Sequence, residues 1–451
     1  MNSIYSMRNF LSLLFSFTIL LSWSQSSIND PKSYYGIGES GGTSHSIYSA
    51  LGRNTINYYD STQLNYFNPA SYSSLSSGNT ILSFEIQNRV SQFQSGGVSE
   101  YASAFNLESL AIGFKMKKRM GMAFGLRPFS TRGYSFSEGI NTGTDSLQYS
   151  YNGTGGIQNF FVGYSYKLIH TNKVKLSLGT NLSYLFGSVN NQRIGLLVQT
   201  NNYQGGISNR VTGMKSFHYE FGGTFGYSIN KAHQISVSGV FEPKQQLNAF
   251  AQDELFSASN IYTYSTWDTI TYALENGKIS STGSFKVGLN YTFKTKPITR
   301  NNHTVNPAVV LLAHYGKSAA YSHNFTIFDQ WNLSQSSQMG IGIEFIPEVN
   351  LFDNLSTLKW YEKMHYRLGA YNYQLPYTVL SSSAKDQGLS FGLSFPLLAQ
   401  YSLSSLNLSI NLGKRDLNSS TALQQKYIGI NFGLVLSPSA FERWFRKRKL
   451  D

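Results

Sequence analysis

The stretch SFHYEFGGTFGYSI, Ser216 to Ile229, carries the pattern that decides the fold. One set of alternate positions holds mostly aromatic side chains, whereas the other set holds Ser, His, Glu, Thr and Gly. Successive side chains of a β-strand point to opposite faces, so this period of two is typical of a strand. The stretch therefore predicts a strand with one face in an apolar medium and the other in a polar one.

The same alternation recurs about fourteen times along the chain, in runs of about 10 to 15 residues. The predicted strands begin near Thr80, Phe105, Met120, Ile157, Lys173, Lys215, His233, Gly283, Pro307, Ser336, Lys363, Gln387, Leu403 and Gln424. Runs of this length are longer than the strands of soluble proteins and suit a tilted crossing of a membrane. An even number of them is typical of bacterial outer-membrane barrels.

Short and long connections alternate between the predicted strands. The short ones are Lys118–Arg119, His170–Asn172, Asn230–Ala232 and Leu398–Tyr401, and the long polar ones include Ser135–Gly156, Asn190–Met214 and Asn248–Thr282. Barrels of the outer membrane have short periplasmic turns and long extracellular loops. A soluble β-sandwich is the alternative, but it has no reason to sort its loops by length. We therefore predict an all-β fold, a transmembrane antiparallel up-and-down β-barrel over residues 79–437.

The composition agrees with a membrane barrel. Charged residues make up 13% of the 451 residues, aromatic residues make up 15%, and there are 40 glycines. The charged fraction is low against the usual value of about 25%. The absence of cysteine excludes disulfides, thiolate metal sites and a cysteine nucleophile.

The amino terminus predicts export. Arg8 precedes the apolar stretch Phe10 to Leu21, and small residues at Ser22 and Ser24 suit cleavage before Gln25. An uncleaved anchor is the alternative, but the apolar stretch is too short to span a bilayer comfortably. We expect residues 1–24 to be a signal peptide and the mature protein to lie in the cell outer membrane. An even number of strands then places both termini in the periplasm.

Much of the net charge of +13 lies at the short turns and at the carboxyl terminus. The lysines and arginines at or beside the turns are Lys117, Lys118, Arg119, Lys167, Lys173, Lys231 and Lys294. Residues 438–451, which end in FERWFRKRKLD, form a basic and aromatic periplasmic tail. A nucleic-acid partner needs a folded reading domain, and none is indicated. A rim anchor against lipid headgroups is the better interpretation.

A search for catalytic motifs finds little. The eight histidines are scattered, and HExxH, GxSxG and SxxK motifs are absent. His218 and Glu220 share a polar face and are able in principle to do acid–base work, although such side chains more often solvate a lumen. The GxG spacing within Gly36 to Gly42 follows no strand, so it suits flexible packing better than phosphate binding. We predict no enzyme activity, no cofactor and no metal site.

The stretch YFNPASY, Tyr66 to Tyr72, precedes the predicted barrel. A barrel of about fourteen strands has a lumen too wide for its own side chains to fill. Asn and Pro together pre-form a turn, and the flanking rings are able to pack against an inner wall. We therefore predict that residues 25–78 form a hatch, a plug inside the lumen. The predicted hatch residues are Tyr66, Phe67, Asn68, Pro69 and Ala70.

These residues also carry a resemblance. Asp60 followed by LNYFNPASY resembles the D…FNPAG pattern of the FadL-like family of long-chain fatty-acid transporters, with Ser71 in place of the usual glycine. The stretches YYGIGESGG, YEKMHYRLGAY and FERWFRKRKL resemble an uncharacterised Bacteroidetes branch of that family. The resemblance implies a fourteen-stranded outer-membrane barrel with a lumenal hatch. It implies no substrate-binding residues, because those of the fatty-acid transporters have no recognisable counterparts here.

The third predicted strand holds a proline at a position where an outward side chain is expected. Pro128 cannot donate a hydrogen bond to a neighbouring strand, and Gly125 makes a bend easy. One interpretation is a kink from Gly125 to Pro128 that opens a lateral gap in the wall. The other is an ordinary strand end at the membrane surface. The resemblance adds to the first, because the related transporters also have a kink in their third strand.

Two functions follow from the sequence. The first is passive, hatch-gated transport of hydrophobic or amphipathic small molecules, with outer-membrane lipid and an apolar ligand as partners. The alternative is a non-transporting accessory barrel of a surface protein-secretion complex, with envelope proteins as partners and docking through the tail and the helix-like insert Leu355–Lys363. An open hydrophilic porin is disfavoured, because its charged inward residues are dispersed. Those residues are Glu85, Arg89, Lys115, Arg127 and Glu220.

Overall fold

The structure is a computed structural model. It describes residues 30–41, 45–78, 80–95, 97–141, 146–197, 204–300, 303–349, 358–379, 382–399, 402–416 and 423–437. The predicted signal peptide and the predicted periplasmic tail lie outside these residues. The first three residues of the predicted helix-like insert, 355–357, also lie outside them, and the described part contains a short 3-10 helix, Trp360–Glu362.

The chain folds into a few short elements followed by long strands. The short elements are a 3-10 helix Pro31–Tyr34, strand β1 Glu39–Ser40, helix α1 Ser46–Ala50 and a 3-10 helix Pro69–Ser74. The strands that follow are β2 Thr80–Ser95, β3 Val98–Lys117, β4 Met120–Thr131, β5 Tyr134–Asn141, β6 Ser146–His170, β7 Val174–Leu197, β8 Gly205–Ser228, β9 His233–Glu242, β10 Gln245–Ala258, β11 Trp267–Ser281, β12 Ser284–Lys294, β13 Ile298–Arg300, β14 His303–Val305, β15 Ala308–Ser318, β16 Tyr321–His323, β17 Ser336–Ile346, β18 His365–Val379, β19 Ser382–Ala399, β20 Ser402–Asp416 and β21 Gln424–Leu436. A third 3-10 helix, Tyr264–Thr266, precedes β11.

The long strands close into an antiparallel barrel, because β2 pairs with β21 as well as with β3. Four wall strands are each built from two consecutive segments: β4 with β5, β9 with β10, β11 with β12, and β15 with β16. Counted in this way the wall has fourteen strands, so the predicted fold class is confirmed. No helix among the described residues is long and apolar enough to cross a membrane.

The prediction that three long stretches are loops is wrong. Their residues extend the strands, as the pairs Leu147↔Leu197 and Gly195↔Gly206 demonstrate, and β6 begins at Ser146 rather than near Ile157. Polar residues and glycines interrupt the apolar positions in these extensions, so the alternation by which strands were recognised is weak there. The predicted turns at 118–119, 170–172 and 230–232 are short as expected, the second lying at 171–173, and they mark one end of the barrel, here named the short-turn end. The opposite end is named the long-hairpin end.

The wall alternates between an apolar exterior and a polar interior. On β8, Phe217 and Tyr219 are 66% and 41% exposed, whereas His218 between them is 3% exposed. The same alternation on the other strands produces an apolar band around the barrel. Such a band is the surface that the hydrocarbon of a bilayer covers.

The interior is filled by residues 30–78, here named the hatch segment. Its apolar side chains form one buried cluster with the inner wall: Ile47, Tyr48, Leu51, Tyr58, Leu64, Tyr66, Phe67, Tyr72 and Leu75 pack with Ile81, Ala111, Ala123, Phe161, Val310, Leu312 and Val435. The main core of the protein therefore lies between plug and wall. A wall of this width cannot fill its own lumen, so the amino-terminal segment supplies the missing side chains.

Candidate functional site

The Asn-Pro-Ala corner is held by its own hydrogen bonds. Asn68 caps the 3-10 helix that follows, with Oδ1 accepting from the backbone N–H of Ala70 at 3.0 Å. Its Nδ2 donates to the carbonyl of Ile56 at 2.8 Å and to the hydroxyl of Tyr59 at 2.7 Å. Pro69 occupies the first helical position, where a missing N–H costs nothing. The corner is thus a rigid part of the hatch segment.

Glycines of the wall make room for this corner. A Cβ atom on Gly179 would lie 2.5 Å from the carbonyl carbon of Pro69, and one on Gly222 would collide with Oδ1 of Asn68. On the far wall, a Cβ on Gly342 would lie 2.5 Å from the carbonyl oxygen of Leu51. Glycine within a strand often marks a close approach of another backbone. The wall sequence is therefore fitted to the hatch segment at several places.

The flanking rings tie the corner to the wall. Tyr66 donates from its hydroxyl to Oγ of Ser109 at 2.8 Å, and Tyr72 donates to Oδ1 of Asn181 at 2.8 Å. Phe67 faces a cavity that is described below. The five predicted hatch residues thus lie together in the lumen, whereas their role as a stopper stays a prediction.

Buried ion pairs fasten the rest of the hatch segment. Arg53 donates to Asp386 at 3.1 Å, and Arg415 donates to the same carboxylate at 3.1 Å and to Asp30 at 2.8 Å. Arg89 binds Glu39 with both terminal nitrogens, at 3.1 and 2.8 Å. Breaking a buried pair leaves an uncompensated charge, so these contacts resist withdrawal of the segment.

The environment shifts the pKa of two groups in the hatch segment. Burial alone would raise the pKa of Glu39, but the guanidinium groups of Arg415 and Arg89 outweigh it and hold the pKa well below its usual value. Burial lowers the pKa of Lys32 to about 8, although Asp30 acts in the opposite direction. Glu39 is therefore an anion under all ordinary conditions.

His45 links helix α1 to the wall. Its Nδ1 accepts from the backbone N–H of Ile47 at 3.2 Å, and its Nε2 lies 3.3 Å from Oε1 of Glu85. The other oxygen of Glu85 accepts from the N–H of Ser46 at 2.9 Å. An Nδ1 that accepts carries no proton, so the ring is neutral. Burial and the nearby charge of Arg367 lower the pKa of His45 to about 3.

The wall is incompletely paired beside the hatch segment. Pairing of β3 with β4 ends at Leu110↔Leu126, although β3 continues to pair with β2 up to Val98. Pro128 lies within β4, and the register with β6 shifts between Pro128 and Ser130. The position predicted for a kink therefore coincides with the point where two wall strands part.

Strand β1 of the hatch segment occupies this freed edge. Ser40 pairs with Ser130, and the N–H of Gly41 donates to the carbonyl of Phe129 at 2.9 Å. Nearby, Arg132 donates to the carbonyl of Ser33 at 3.0 Å. The stretch predicted to be flexible glycine-rich packing is thus partly a strand, because the unpaired edge of β4 offers it backbone hydrogen bonds.

A cavity of about 260 Å³ lies between the hatch segment and the long-hairpin end. Its apolar lining comes from Tyr35, Ile37, Phe67, Phe129, Val240, Tyr321, Leu333, Leu375 and Tyr377. Its charged lining comes from Lys32, Glu39, Arg53, Arg127, Glu220, Glu242, Lys286, Asp386 and Arg415. Rings and charges facing one space suit a ligand that is apolar in one part and polar in another.

The connection between β16 and β17, residues 324–335, covers the cavity. Phe325 is 2% exposed and packs with Leu247 and Ile279, and Trp331 lies against the same cluster. Leu333 makes a β-bridge with Tyr377. Sequence reasoning missed this cover, although the aromatic density of NFTIFDQW, Asn324 to Trp331, is a signal that the segment is not a solvated loop.

The considered acid–base pair does not form. His218 lies 3.2 Å from Glu242, whereas Glu220 binds Arg127 at 3.0 Å. Each of the two side chains has its partner on another wall strand, β9 for His218 and β4 for Glu220, so the two do not act as a pair. Among the described residues, no group of three or more His, Asp or Glu side chains is placed to hold a metal ion.

The BamG family model matches residues 6–451 of the chain. Three solved structures are similar in fold. The CymD monoaromatic hydrocarbon channel is 11% identical, with a TM-score of 0.50 over 88% of this chain and 98% of that one. The P. putida toluene transporter TodX is 15% identical, with a TM-score of 0.52 over 89% and 99%. A Pseudomonas aeruginosa FadL homologue is 8% identical, with a TM-score of 0.52 over 90% and 100%.

These likenesses establish the fold and bear out the resemblance to FadL-like barrels. At such identities they concern the fold alone. A search of curated proteins finds no match to the sequence.

Proposed function

The chain belongs to the BamG family, and we propose that it is an outer-membrane barrel that binds an amphipathic small molecule in its lumenal cavity and releases it sideways through the wall. Its termini and short turns then face the periplasm. The single observation that supports this proposal is the coincidence of three features: the cavity, the parting of β3 from β4, and strand β1 lying on the freed edge.

The direction of release follows from what fills the lumen. Movement along the barrel axis requires the hatch segment to leave, and that breaks the buried pairs of Arg53, Glu39 and Asp30 with the wall. Movement through the wall requires β1 to detach from β4, which breaks a short stretch of backbone pairing and disturbs the pairs of Glu39 with Arg89 and Arg415. The second path leaves the pairs of Arg53 with Asp386 and of Arg415 with Asp30 in place, so it is the proposed one.

A disulfide across the two paired serines tests the lateral route. Ser40→Cys with Ser130→Cys is a clean pair because the chain has no cysteine. The N–H of Gly41 bonds the carbonyl of Phe129, so Ser40 and Ser130 form the close, non-hydrogen-bonded type of pair, with Cα atoms about 4.5 Å apart. That separation permits a disulfide. We expect uptake of a hydrophobic fluorescent probe into proteoliposomes to fall on oxidation and to recover on reduction.

The matched control is Ser280→Cys with Ser322→Cys, a serine pair between β11 and β16. Oxidation of the control pair must leave uptake unchanged. Equal uptake by the oxidised and reduced Ser40/Ser130 variant, with the disulfide confirmed by mass, would rule out a lateral route.

An accessory barrel of a surface protein-secretion complex is the second candidate. It is favoured by the firm attachment of the hatch segment and by Trp360, which is 71% exposed next to the short-turn end. Wild-type protein cross-linked in native membranes is then expected to copurify a defined envelope protein, and Trp360→Ser is expected to weaken that association. Uptake in pure liposomes, without any partner, favours the first candidate instead.

A further inference from the structure

Four lysines form a row across neighbouring strands of the barrel exterior, towards the long-hairpin end. They are Lys215 on β8, Lys244 between β9 and β10, Lys278 on β11 and Lys317 on β15, here named the lysine patch, and all four are exposed. Each stands on a neighbouring wall strand, so the patch spans four strands without a gap.

The side chains of the patch point away from the lumen. Lys215 follows the fully buried Met214 and precedes the outward Phe217 by two residues. Lys278 pairs with Asn248 and precedes the fully buried Ile279. Lys317 pairs with Phe285, which is 42% exposed on the outer face.

The register sets the spacing of the four lysines along the wall. Met214 pairs with Ala249 and Lys278 pairs with Asn248, so Lys215 and Lys278 stand on either side of β10, about 10 Å apart at two strand spacings. Lys244 precedes Gln245, which pairs with Ser281 of the next wall strand. Lys317 lies on the wall strand after that and pairs with Phe285, seven residues along from Lys278, so it stands roughly 20 Å or more from Lys278.

The charge of the patch is not neutralised by the protein. Among the described residues, the ammonium groups of Lys215, Lys244 and Lys317 have no hydrogen-bond or ion-pair partner, and that of Lys278 donates only to the neutral Gln246, at 3.1 Å. Glu242, two residues before Lys244, points into the lumen and binds Ser281 and Ser284.

An aromatic step lies directly below the patch. Phe217, Phe241, Phe285 and Tyr315 are 66%, 56%, 42% and 47% exposed on these strands. A second exterior group at Lys385, Lys414 and Lys426 differs, because Lys414 is paired with Asp416 at 2.6 Å. The lysine patch therefore combines uncompensated cations with an apolar surface immediately beneath them.

We propose that the lysine patch binds the phosphate groups of an anionic lipid in the membrane leaflet that surrounds the long-hairpin end. The acyl chains lie on the aromatic step, and the headgroup phosphates meet the ammonium groups. Juxtamembrane basic clusters attract anionic lipids by about 1 kcal/mol per lysine, which corresponds to about fivefold in affinity. Because the patch lies outside the lumen, this inference is independent of what the cavity binds.

Native mass spectrometry of the full chain in neutral detergent tests the proposal. The probes are a bisphosphorylated glycolipid, phosphatidylglycerol and phosphatidylcholine. Replacement of all four patch lysines by glutamine is expected to weaken retention of the two anionic lipids by about fivefold per lysine, whereas replacement by arginine retains them. Millimolar inorganic phosphate is expected not to displace the lipid, because it lacks the chains that contact the aromatic step.

The control replaces Lys117, Lys118, Lys173 and Lys231 at the short-turn end by glutamine, which removes the same charge. Equal retention of anionic lipid by the patch variant and by the wild type would overturn the proposal. Retention of phosphatidylcholine by the wild type as strong as that of the anionic lipids would also overturn it. If the variant with all four lysines replaced no longer folds, as judged by the heat-dependent shift of its mobility on a gel, the double variant Lys215→Gln with Lys278→Gln is measured instead. The same criteria apply.

Discussion

Arg53 of the hatch segment lies 3.1 Å from Asp386 of the wall, and both side chains are almost fully buried. Asp386 also accepts from Arg415 at 3.1 Å and from the hydroxyl of Tyr427 at 2.6 Å. One carboxylate therefore balances two guanidinium groups from different parts of the chain. The plug and the wall form one electrostatic unit at this point, and separation of the two exposes charges to a medium that cannot solvate them.

Asp386→Asn is expected to lower the free energy of unfolding by about 3–5 kcal/mol, because it leaves the buried guanidinium group of Arg53 without its counter-charge and removes one of the carboxylates around Arg415. Thermal unfolding in detergent measures the change, and trypsin sensitivity of the hatch segment locates it. Asp253→Asn is the control, because the pair of Asp253 with Arg210 is largely exposed and contributes only about 0–1 kcal/mol. Equal destabilisation by the two variants would contradict this account.

Gly179→Leu is expected to dislodge the Asn-Pro-Ala corner while the wall still closes. A Cβ at this position would lie 2.5 Å from the Pro69 backbone, which cannot move without losing the Asn68 hydrogen bonds. Small-solute leakage in liposomes measures the result and is expected to rise. Gly239→Leu is the control, since a Cβ there meets only the carbonyl of Lys286 at 3.8 Å. Wild-type leakage by a folded Gly179→Leu barrel would mean that the corner is not a stopper.

The contribution of His45 to the stability of the hatch segment is expected to fall as the pH drops from about 6.5 towards 3. Burial and Arg367 lower the pKa of His45 to about 3 in the folded protein, whereas the unfolded value is about 6.5. Between these values the unfolded chain binds a proton that the folded chain does not, so acid favours unfolding. Asparagine also caps helices and does not titrate, so His45→Asn is expected to flatten this part of the pH profile. If the melting temperatures of wild type and His45→Asn change with pH in the same way across this range, the assignment of this pH dependence to His45 is wrong.

An epitope inserted after Ser257 is expected to be labelled on intact cells. Ser257 is an exposed residue near the tip of the β10–β11 hairpin, at the end of the barrel opposite the short turns. If the termini face the periplasm, this tip faces outward. An epitope between Lys118 and Arg119 serves as the control and is expected to be labelled only after lysis. The reverse pattern would invert the orientation.

The sequence predicts the barrel well because every strand that crosses the membrane meets the same two environments, lipid on one face and the lumen on the other. An apolar exterior and a polar interior impose a period of two wherever a strand crosses the bilayer, as at Phe217 and His218. The period disappears where both faces are wet, so the extensions of β6, β7 and β8 were predicted as loops. The hatch position follows from lumen width and from the stiffness of Asn68 and Pro69.

The cavity and its attachments depend on long-range pairing that local patterns do not contain. Asp386 and Arg53 are separated by 333 positions, and neither lies in a motif. The wall glycines that contact the hatch segment cannot be told from other strand glycines in the sequence. Their role becomes clear only from the structure, where the Pro69 backbone lies beside Gly179. The strand that covers the edge of β4 comes from a glycine-rich stretch with no strand pattern of its own. Such features follow from the assembled fold.

Pro128→Val tests whether the parting of β3 and β4 serves the release of a ligand. Pro128 lies within β4, and pairing with β3 stops two residues earlier, at Leu126. A valine restores a backbone donor, and its branched side chain favours the extended pairing that a proline interrupts. We expect β4 to pair further along β3, the gap to narrow, and uptake of a hydrophobic probe at matched expression to fall several-fold.

Pro396→Val is the matched control, because Pro396 lies in β19 opposite Ser405, where pairing with β20 continues past the proline. Its replacement is expected to leave uptake unchanged. Deuterium exchange of β3 between Val98 and Ser109 supplies a second readout, since new pairing protects amides that are free in the wild type. Increased protection without a change in uptake would separate the gap from transport and leave Pro128 as a structural feature of the third wall strand. Unchanged protection and unchanged uptake would remove the gap from the mechanism altogether.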